Sequence, residues 1–72
     1  MPDRPYSTRA QRALELADAS AARLGDPFIG PQHLLIGLLE EPNGPAAQVL
    51  NHLGVTTEIV RETWNRTTGQ KL

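Results

Sequence analysis

Two Gly-Pro pairs constrain this chain more than any other feature, because each must end one segment and begin the next. They lie in the stretch from Phe28 to Val55, FIGPQHLLIGLLEEPNGPAAQVLNHLGV, and Pro42 adds a third break between them. Proline lacks a backbone N–H, so it fits the first turn of a helix but not its interior. The stretch therefore predicts two short helices, 31–40 and 45–53, joined by a tight turn.

The helix predicted at 31–40 is unusually apolar. Leucine or isoleucine occupies five of its ten positions, which leaves almost no polar face. Helices that are apolar all round are normally buried, so we predict that this one is central and surrounded by the others. Gly37 in its middle costs about 1 kcal/mol relative to alanine, and we interpret it as a notch where a neighbouring helix approaches closely.

Helical spacing continues on both sides of this stretch. Alanine and leucine recur at three- and four-residue steps before it, with Ser7 or Thr8 as the N-terminal cap, and Thr56 can cap a last helix. No alternating strand pattern and no internal repeat is found. The predicted fold is all-α, a small bundle of four short helices in one domain over residues 1–72 with flexible ends. The predicted helices span 8–24, 31–40, 45–53 and 57–67.

The amino-acid composition argues against several classes of protein. The chain has 72 residues, 39% of them hydrophobic and 21% charged, which is typical of one small globular domain. Seven Lys and Arg against eight Asp and Glu argue against a nucleic-acid binder, including a helix-turn-helix protein. No apolar stretch approaches the ~20 residues of a membrane span, and the N-terminus does not resemble a signal peptide. We expect a soluble cytoplasmic protein without disulfides, since cysteine is absent.

The chemically versatile side chains do not form a recognisable reaction centre. His33 and His52 fall on different predicted helices without a third ligand nearby, so we interpret them as packing or capping residues rather than a metal site. Glu40 and Glu41 are adjacent, and a solvated pair is favoured over a catalytic pair. The prolines in both Gly-Pro pairs remove N–H groups that a phosphate-binding loop would use. We predict no enzymatic activity, no metal and no cofactor.

A resemblance to a known family covers most of the chain. The segments TRAQRALELADASAARLG, FIGPQHLLIGLLEEPNGPAAQVLNHLGV and VRE, from about Tyr6 to Arg61, resemble the repeat of the Clp N-terminal domain, the substrate-receiving module of Clp-type unfoldase ATPases such as ClpC and ClpA. The resemblance implies an all-α fold and a non-enzymatic role in recognising proteins to be degraded, adaptors or small cyclic peptides. That domain normally holds two repeats followed by ATPase modules. This chain holds one repeat and no Walker-type loop.

The resemblance leads to two functional hypotheses. In the first, the chain is a stand-alone accessory of the Clp protease system that binds a Clp ATPase, its clients or adaptors, or compounds that target the ATPase. In the alternative, it is a self-associating structural module unrelated to Clp proteolysis. A lone repeat would expose the apolar face that a second repeat covers, so we expect a homodimer that recreates the tandem arrangement. Trp64 is interpreted as a core or dimer contact.

The resemblance also suggests ligand-binding residues. In ClpC-like members, a hydroxyl at the start of the first helix and a glutamate before the histidine hold a phosphorylated arginine. Ser7 and Thr8 supply hydroxyls here, although helix capping explains them equally well, whereas the glutamate position holds Gln32. A neutral amide gives up the charge-assisted pairing, so we predict weak phosphoarginine binding. Tyr6 and Arg9 offer an edge for peptides or cyclic ligands, unless the tyrosine only pins the N-terminal arm.

Overall fold

The computed structural model describes residues 4–72, which contain four helices and no strand. The all-α bundle of four short helices predicted from the sequence is confirmed. Compared with the predicted bounds, the third helix ends one residue earlier and the fourth one residue later; residues 1–3, where a flexible end was predicted, lie outside the described residues. The helices are α1 (Thr8–Leu24), α2 (Pro31–Glu40), α3 (Pro45–His52) and α4 (Thr57–Thr68).

Side-chain caps and glycines set the helix ends. The hydroxyl of Ser7 accepts a hydrogen bond from the backbone N–H three residues on, at 3.1 Å, so Ser7 rather than Thr8 is the N-cap of α1. Thr56 caps α4 in the same way at 3.2 Å. Gly25 ends α1 with a φ of 72°, a left-handed conformation that favours glycine. These local signals place the helices before any tertiary contact is considered.

Helix α2 lies at the centre of the bundle, as predicted. Each of the other three helices packs against it, and among the described residues no other pair of helices packs together. The contact with α1 is the most extensive, and Ile36 of α2 and Ala13, Ala17 and Ala21 of α1 are all buried. The bundle therefore depends on α2 for every helix–helix contact in the described chain.

Gly37 provides the close approach of α1 to α2. A Cβ atom built at this position would overlap the carbonyl oxygen of Ala13 and would lie 3.0 Å from the backbone nitrogen of Ala17. Because a side chain here would meet backbone rather than a movable side chain, only glycine fits without displacing α1. The predicted notch is confirmed.

Two parts of the chain differ from the sequence-based expectation. Helix α2 is not buried all round, because Leu34 and Leu38 remain 38% and 37% exposed beside the first half of α1. The predicted flexible C-terminal end instead packs back on the domain, since Leu72 is only 5% exposed and Gln70 lies beside the α1–α2 loop. No helix in residues 4–72 combines the length and apolar character needed to cross a membrane.

Candidate functional site

One face of α2, between α1 and α4, carries leucines. At about 100° per residue, Leu34, Leu35 and Leu38 share one side of α2, next to Gly37, which contacts Ala13 and Ala17 of α1. We call the surface formed by Leu34, Leu35 and Leu38 the outer face of α2. Leu34 and Leu38 are exposed and Leu35 is half-buried, so the face forms a leucine ridge that other parts of the protein cover only in part.

A groove runs along the α1 side of this ridge. It has a volume of about 250 Å³ and lies between the start of α1 and the outer face. Tyr6, which is 66% exposed, stands at one end of it. We call it the α1 groove; its lining residues are Tyr6, Ala10, Ala13, Leu14, Leu34 and Leu38.

A larger groove lies on the other side of the ridge, between α2 and α4. Its volume is about 430 Å³, and Trp64 and Ile59 form much of its apolar wall. Among residues 4–72, no charged residue lines this groove or the α1 groove. We call it the α4 groove; it is lined by Pro31, Gln32, Leu35, Ile59, Val60, Thr63, Trp64, Thr67 and Thr68.

Trp64 and its neighbours are the site residues that the sequence did not reveal. We expected Trp64 to be a core or dimer contact, and it is half-buried in the wall of an open groove. The i, i+1, i+4, i+5 spacing of Ile59, Val60, Thr63 and Trp64 marks one helix face and was visible in the sequence. That spacing predicts that the face contacts something, but it does not distinguish a filled contact from an open one.

Four of the predicted ligand-binding residues lie together at the start of α1. Ser7 is engaged as the N-cap, Thr8 begins the helix, and the Tyr6 ring lines the α1 groove. Arg9 is engaged too, because its Nη1 lies 2.9 Å from Oε2 of Glu41. The Tyr6 ring is therefore the most accessible apolar group of this segment.

Glu41 corrects one expectation from the sequence. It was interpreted as half of a solvated pair with Glu40, but its side chain is only 3% exposed and is paired with Arg9. The carboxylate also lies against Gly44, where α3 begins, and the positive end of a helix dipole favours a negative charge there. The pair ties the start of α1 to the α2–α3 turn and is a structural contact.

Gln32, the fifth predicted residue, lies at the opposite end of the α1–α2 pair. The two helices are antiparallel: the start of α1 reaches Glu41, whereas His33 pairs with Asp26 beyond the end of α1. With a rise of 1.5 Å per residue, the helix positions place Gln32 on the order of 20 Å from Ser7. Within one copy, the structure does not bring Gln32 together with the other four residues.

His33 has a structural role in the described fold. It is almost fully buried, and its Nδ1 accepts a hydrogen bond from the Gly30 N–H at 2.8 Å while its Nε2 lies 2.8 Å from Oδ2 of Asp26. The first bond requires an unprotonated Nδ1, so Nε2–H is the donor to the carboxylate. In a capping box, a glutamate or glutamine side chain accepts the hydrogen bond from the N-cap amide, and His33 does so here for Gly30. The packing and capping interpretation is confirmed.

Glu58 has a shifted pKa. Hydrogen bonding to its own backbone amide, and then to the hydroxyls of Thr56 and Thr57, holds the pKa of its carboxyl below the usual value, with a smaller contribution from Arg61. All of these groups belong to the first turns of α4, and the carboxyl is fully solvent-exposed. The shift reflects hydrogen bonds at the start of α4 rather than a reaction centre.

A helical domain with two uncharged grooves on either side of a leucine ridge has the surface of a module that contacts other proteins. Comparison with protein families identifies which class of module it is. The family described as the Clp repeat (R) N-terminal domain matches residues 5–71, and the chain belongs to this family.

Similar proteins include chaperones and a regulator. The chloroplastic chaperone protein ClpC of Pisum sativum is 45% identical over 62 residues, and the chaperone protein ClpB of Oceanobacillus iheyensis is 42% identical over 57 residues. The negative regulator of genetic competence ClpC/MecB of Bacillus subtilis is also 42% identical over 57 residues. Each alignment covers 79% of this chain and 7% of the relative. The chain thus spans a small fraction of the length of these relatives.

Proposed function

We propose that this chain is a protein-binding accessory of a Clp protease system, which receives clients or adaptors or contacts a Clp ATPase. Family membership and homology to Clp chaperones support this proposal. The single observation that carries it beyond homology is the uncharged α4 groove, because an open apolar groove of about 430 Å³ suits an apolar peptide segment or side chain of a partner. Small apolar cyclic peptides suit the same groove.

A binding measurement with purified components tests the proposal. The chain is immobilised and exposed to a purified Clp ATPase from the same cell and, separately, to an unfolded client protein. We expect saturable binding to at least one of them, and at least a tenfold loss with Ile59→Glu, which places a charge in the α4 groove. Leu53→Glu is the matched control, because Leu53 is exposed and lines neither groove. If neither ligand binds, or if both variants bind as well as the wild type, the proposal fails.

We also infer that phosphoarginine binds this chain weakly. Gln32 lacks the negative charge that pairs with a guanidinium, and it lies far from the hydroxyl of Ser7, which already caps α1. Arg9, a nearby cation that could attract the phosphate, is held by the buried Glu41. Titration calorimetry with free phosphoarginine should show little heat. Gln32→Glu restores only the charge that pairs with the guanidinium, so it should increase the affinity slightly. Tight binding by the wild-type chain would contradict this inference.

A second candidate function is self-association, with a role that does not involve Clp proteolysis. The exposed outer face of α2 favours it, because a leucine ridge in a small domain gains stability when a partner covers it. The two functions differ in a simple way: an accessory binds Clp proteins, whereas a purely self-associating module does not bind them.

A further inference from the structure

The outer face of α2 stands out because it is apolar, exposed and central at once. Leu34 and Leu38 lie on the helix that holds the whole bundle together, yet more than a third of each remains exposed. Of the other exposed apolar residues of the helices, Ile59 lines the α4 groove, whereas Val49 on α3 lies outside both grooves. The ridge and the two grooves beside it therefore form the continuous apolar surface of the described domain.

We propose that this surface is the contact between two copies of the chain, in which the leucine ridge of each copy packs into a groove beside the ridge of the other. The inference rests on the proposed role of the chain in protein contacts, and it specifies one partner and the face that binds it. A two-fold contact uses the same patch on both copies, so each contribution to it counts twice.

The shape of the surface fits this partner. Helix packing places the side-chain ridge of one helix in the groove of another, and here a ridge lies between two grooves of about 250 and 430 Å³. A second copy presents the same ridge and the same grooves. The surface is thus complementary to itself, which a surface with a single deep pocket and no ridge would not be.

The charge distribution fits it as well. Within the described part of the chain no charged residue lines either groove, although 21% of the sequence is charged. The ion pairs near the carboxyl end of α2, Arg9 with Glu41 and Arg61 with Glu40, are formed within one copy. Two copies can therefore meet without bringing unpaired like charges together, whereas an acidic or basic partner would find no complementary charge on this surface.

The area of this side is sufficient for a modest dimer. The domain measures 35 × 31 × 21 Å along its principal axes. The ridge and its two grooves occupy only part of one side of this body, so we place the contact at the lower end of what specific interfaces bury, about 600 Å² per copy. We therefore expect a reversible dimer that dissociates on dilution rather than a permanent one.

Sedimentation velocity across a dilution series tests the proposal. The wild-type chain should shift from dimer to monomer as it is diluted, and Trp64 fluorescence should move to longer wavelength as the α4 groove opens to water. Leu34→Glu and Leu38→Glu, made separately, should each weaken dimerisation at least tenfold. Val49→Glu is the control and should dimerise like the wild type, since Val49 is 59% exposed and lies outside both grooves.

The outcomes separate the alternatives. A wild-type chain that is monomeric at every concentration overturns the proposal, and so does a dimer that Val49→Glu disrupts while the two leucine variants do not. If a glutamate variant loses its helical circular dichroism, Leu34→Gln replaces it, and the fluorescence of the wild type remains a test that needs no variant. Binding to a Clp ATPase without any dimer overturns this proposal alone; a dimer without Clp binding overturns only the accessory role.

Discussion

The two sides of α2 are built differently. On the buried side, Ile36 is fully enclosed, Gly37 admits the backbone of α1 and His33 is fixed by two hydrogen bonds. On the outer side, leucines of similar size are partly exposed beside two open grooves. Both sides of α2 are apolar, so apolar content does not distinguish the side that stabilises the fold from the side open to partners. The two sides differ in how closely the neighbouring helices pack against them.

The largest expected effect is on the free energy of unfolding, and two substitutions, one on each side of α2, compare the sides. Ile36→Ala should lower the free energy of unfolding by about 3 kcal/mol, because it leaves a cavity in a fully buried site. Leu38→Ala on the outer face should cost about 1 kcal/mol, since part of that side chain is already in water. Urea unfolding followed by circular dichroism measures both.

Protein concentration must be low in this experiment, because self-association also stabilises the folded state. Equal losses for Ile36→Ala and Leu38→Ala would mean that the two sides of α2 contribute alike to stability, and the contrast between them would then be wrong.

The ion pair between Arg9 and Glu41 gives the next largest effect. Arg9→Ala should cost about 2 kcal/mol, because it leaves the buried carboxylate of Glu41 without its partner. The matched control is Arg66→Ala, which removes an exposed pair with Glu62 and should cost less than about 0.5 kcal/mol. Thermal unfolding near neutral pH measures the stability of both variants. A smaller loss of stability for Arg9→Ala than for Arg66→Ala would contradict the structural role of Glu41.

Ser7 and Thr8 provide a test of capping with adjacent residues. Ser7→Ala should cost about 1 kcal/mol, because the helix loses the hydroxyl that accepts the N–H of Ala10. Thr8→Ala should change stability by less than about 0.5 kcal/mol, since Thr8 is exposed and is not the cap. Chemical denaturation of the two variants measures both losses of stability and shows which residue caps the helix. The reverse order would mean that Thr8 caps the helix and that Ser7 is free for another role.

The smallest effect concerns pH and Glu58. Its pKa is lower in the folded state, so its contribution to stability is fully present above the ordinary carboxyl pKa and is lost as the pH falls through the lowered value. Glu58→Gln should therefore narrow the stability difference between neutral and acidic solution slightly. Unfolding curves for both proteins at several pH values measure this, and a steeper acid dependence in Glu58→Gln would contradict the assigned shift.

Local signals in the sequence predicted the fold well. Proline, glycine and capping side chains act within a few residues of where they stand, so they placed all four helices, and Gly37 identified the close approach of α1. The burial of Glu41 could not be predicted in this way, because its partner Arg9 lies 32 residues earlier in the chain. The separation of Gln32 from Ser7 likewise follows from antiparallel packing, which no local pattern records.

The site was harder to predict for a related reason. An apolar helix in the sequence looks the same whether three neighbours cover it fully or in part. A groove beside α1 leaves Leu34 and Leu38 partly exposed, and the groove beside α4 leaves Leu35 half-buried. Exposure is a property of the whole bundle, and the sequence pattern alone favoured a buried α2.

Methyl NMR spectra recorded across a dilution series test the central claim most directly, because they report on the two sides of α2 separately. We predict that the methyl signals of Leu34 and Leu38 shift with protein concentration, while those of the fully buried Ile36 stay in place. Signals of Leu34 and Leu38 that do not change with concentration, or signals of Ile36 that move as much as theirs, would contradict the division of α2 into a folding side and a binding side.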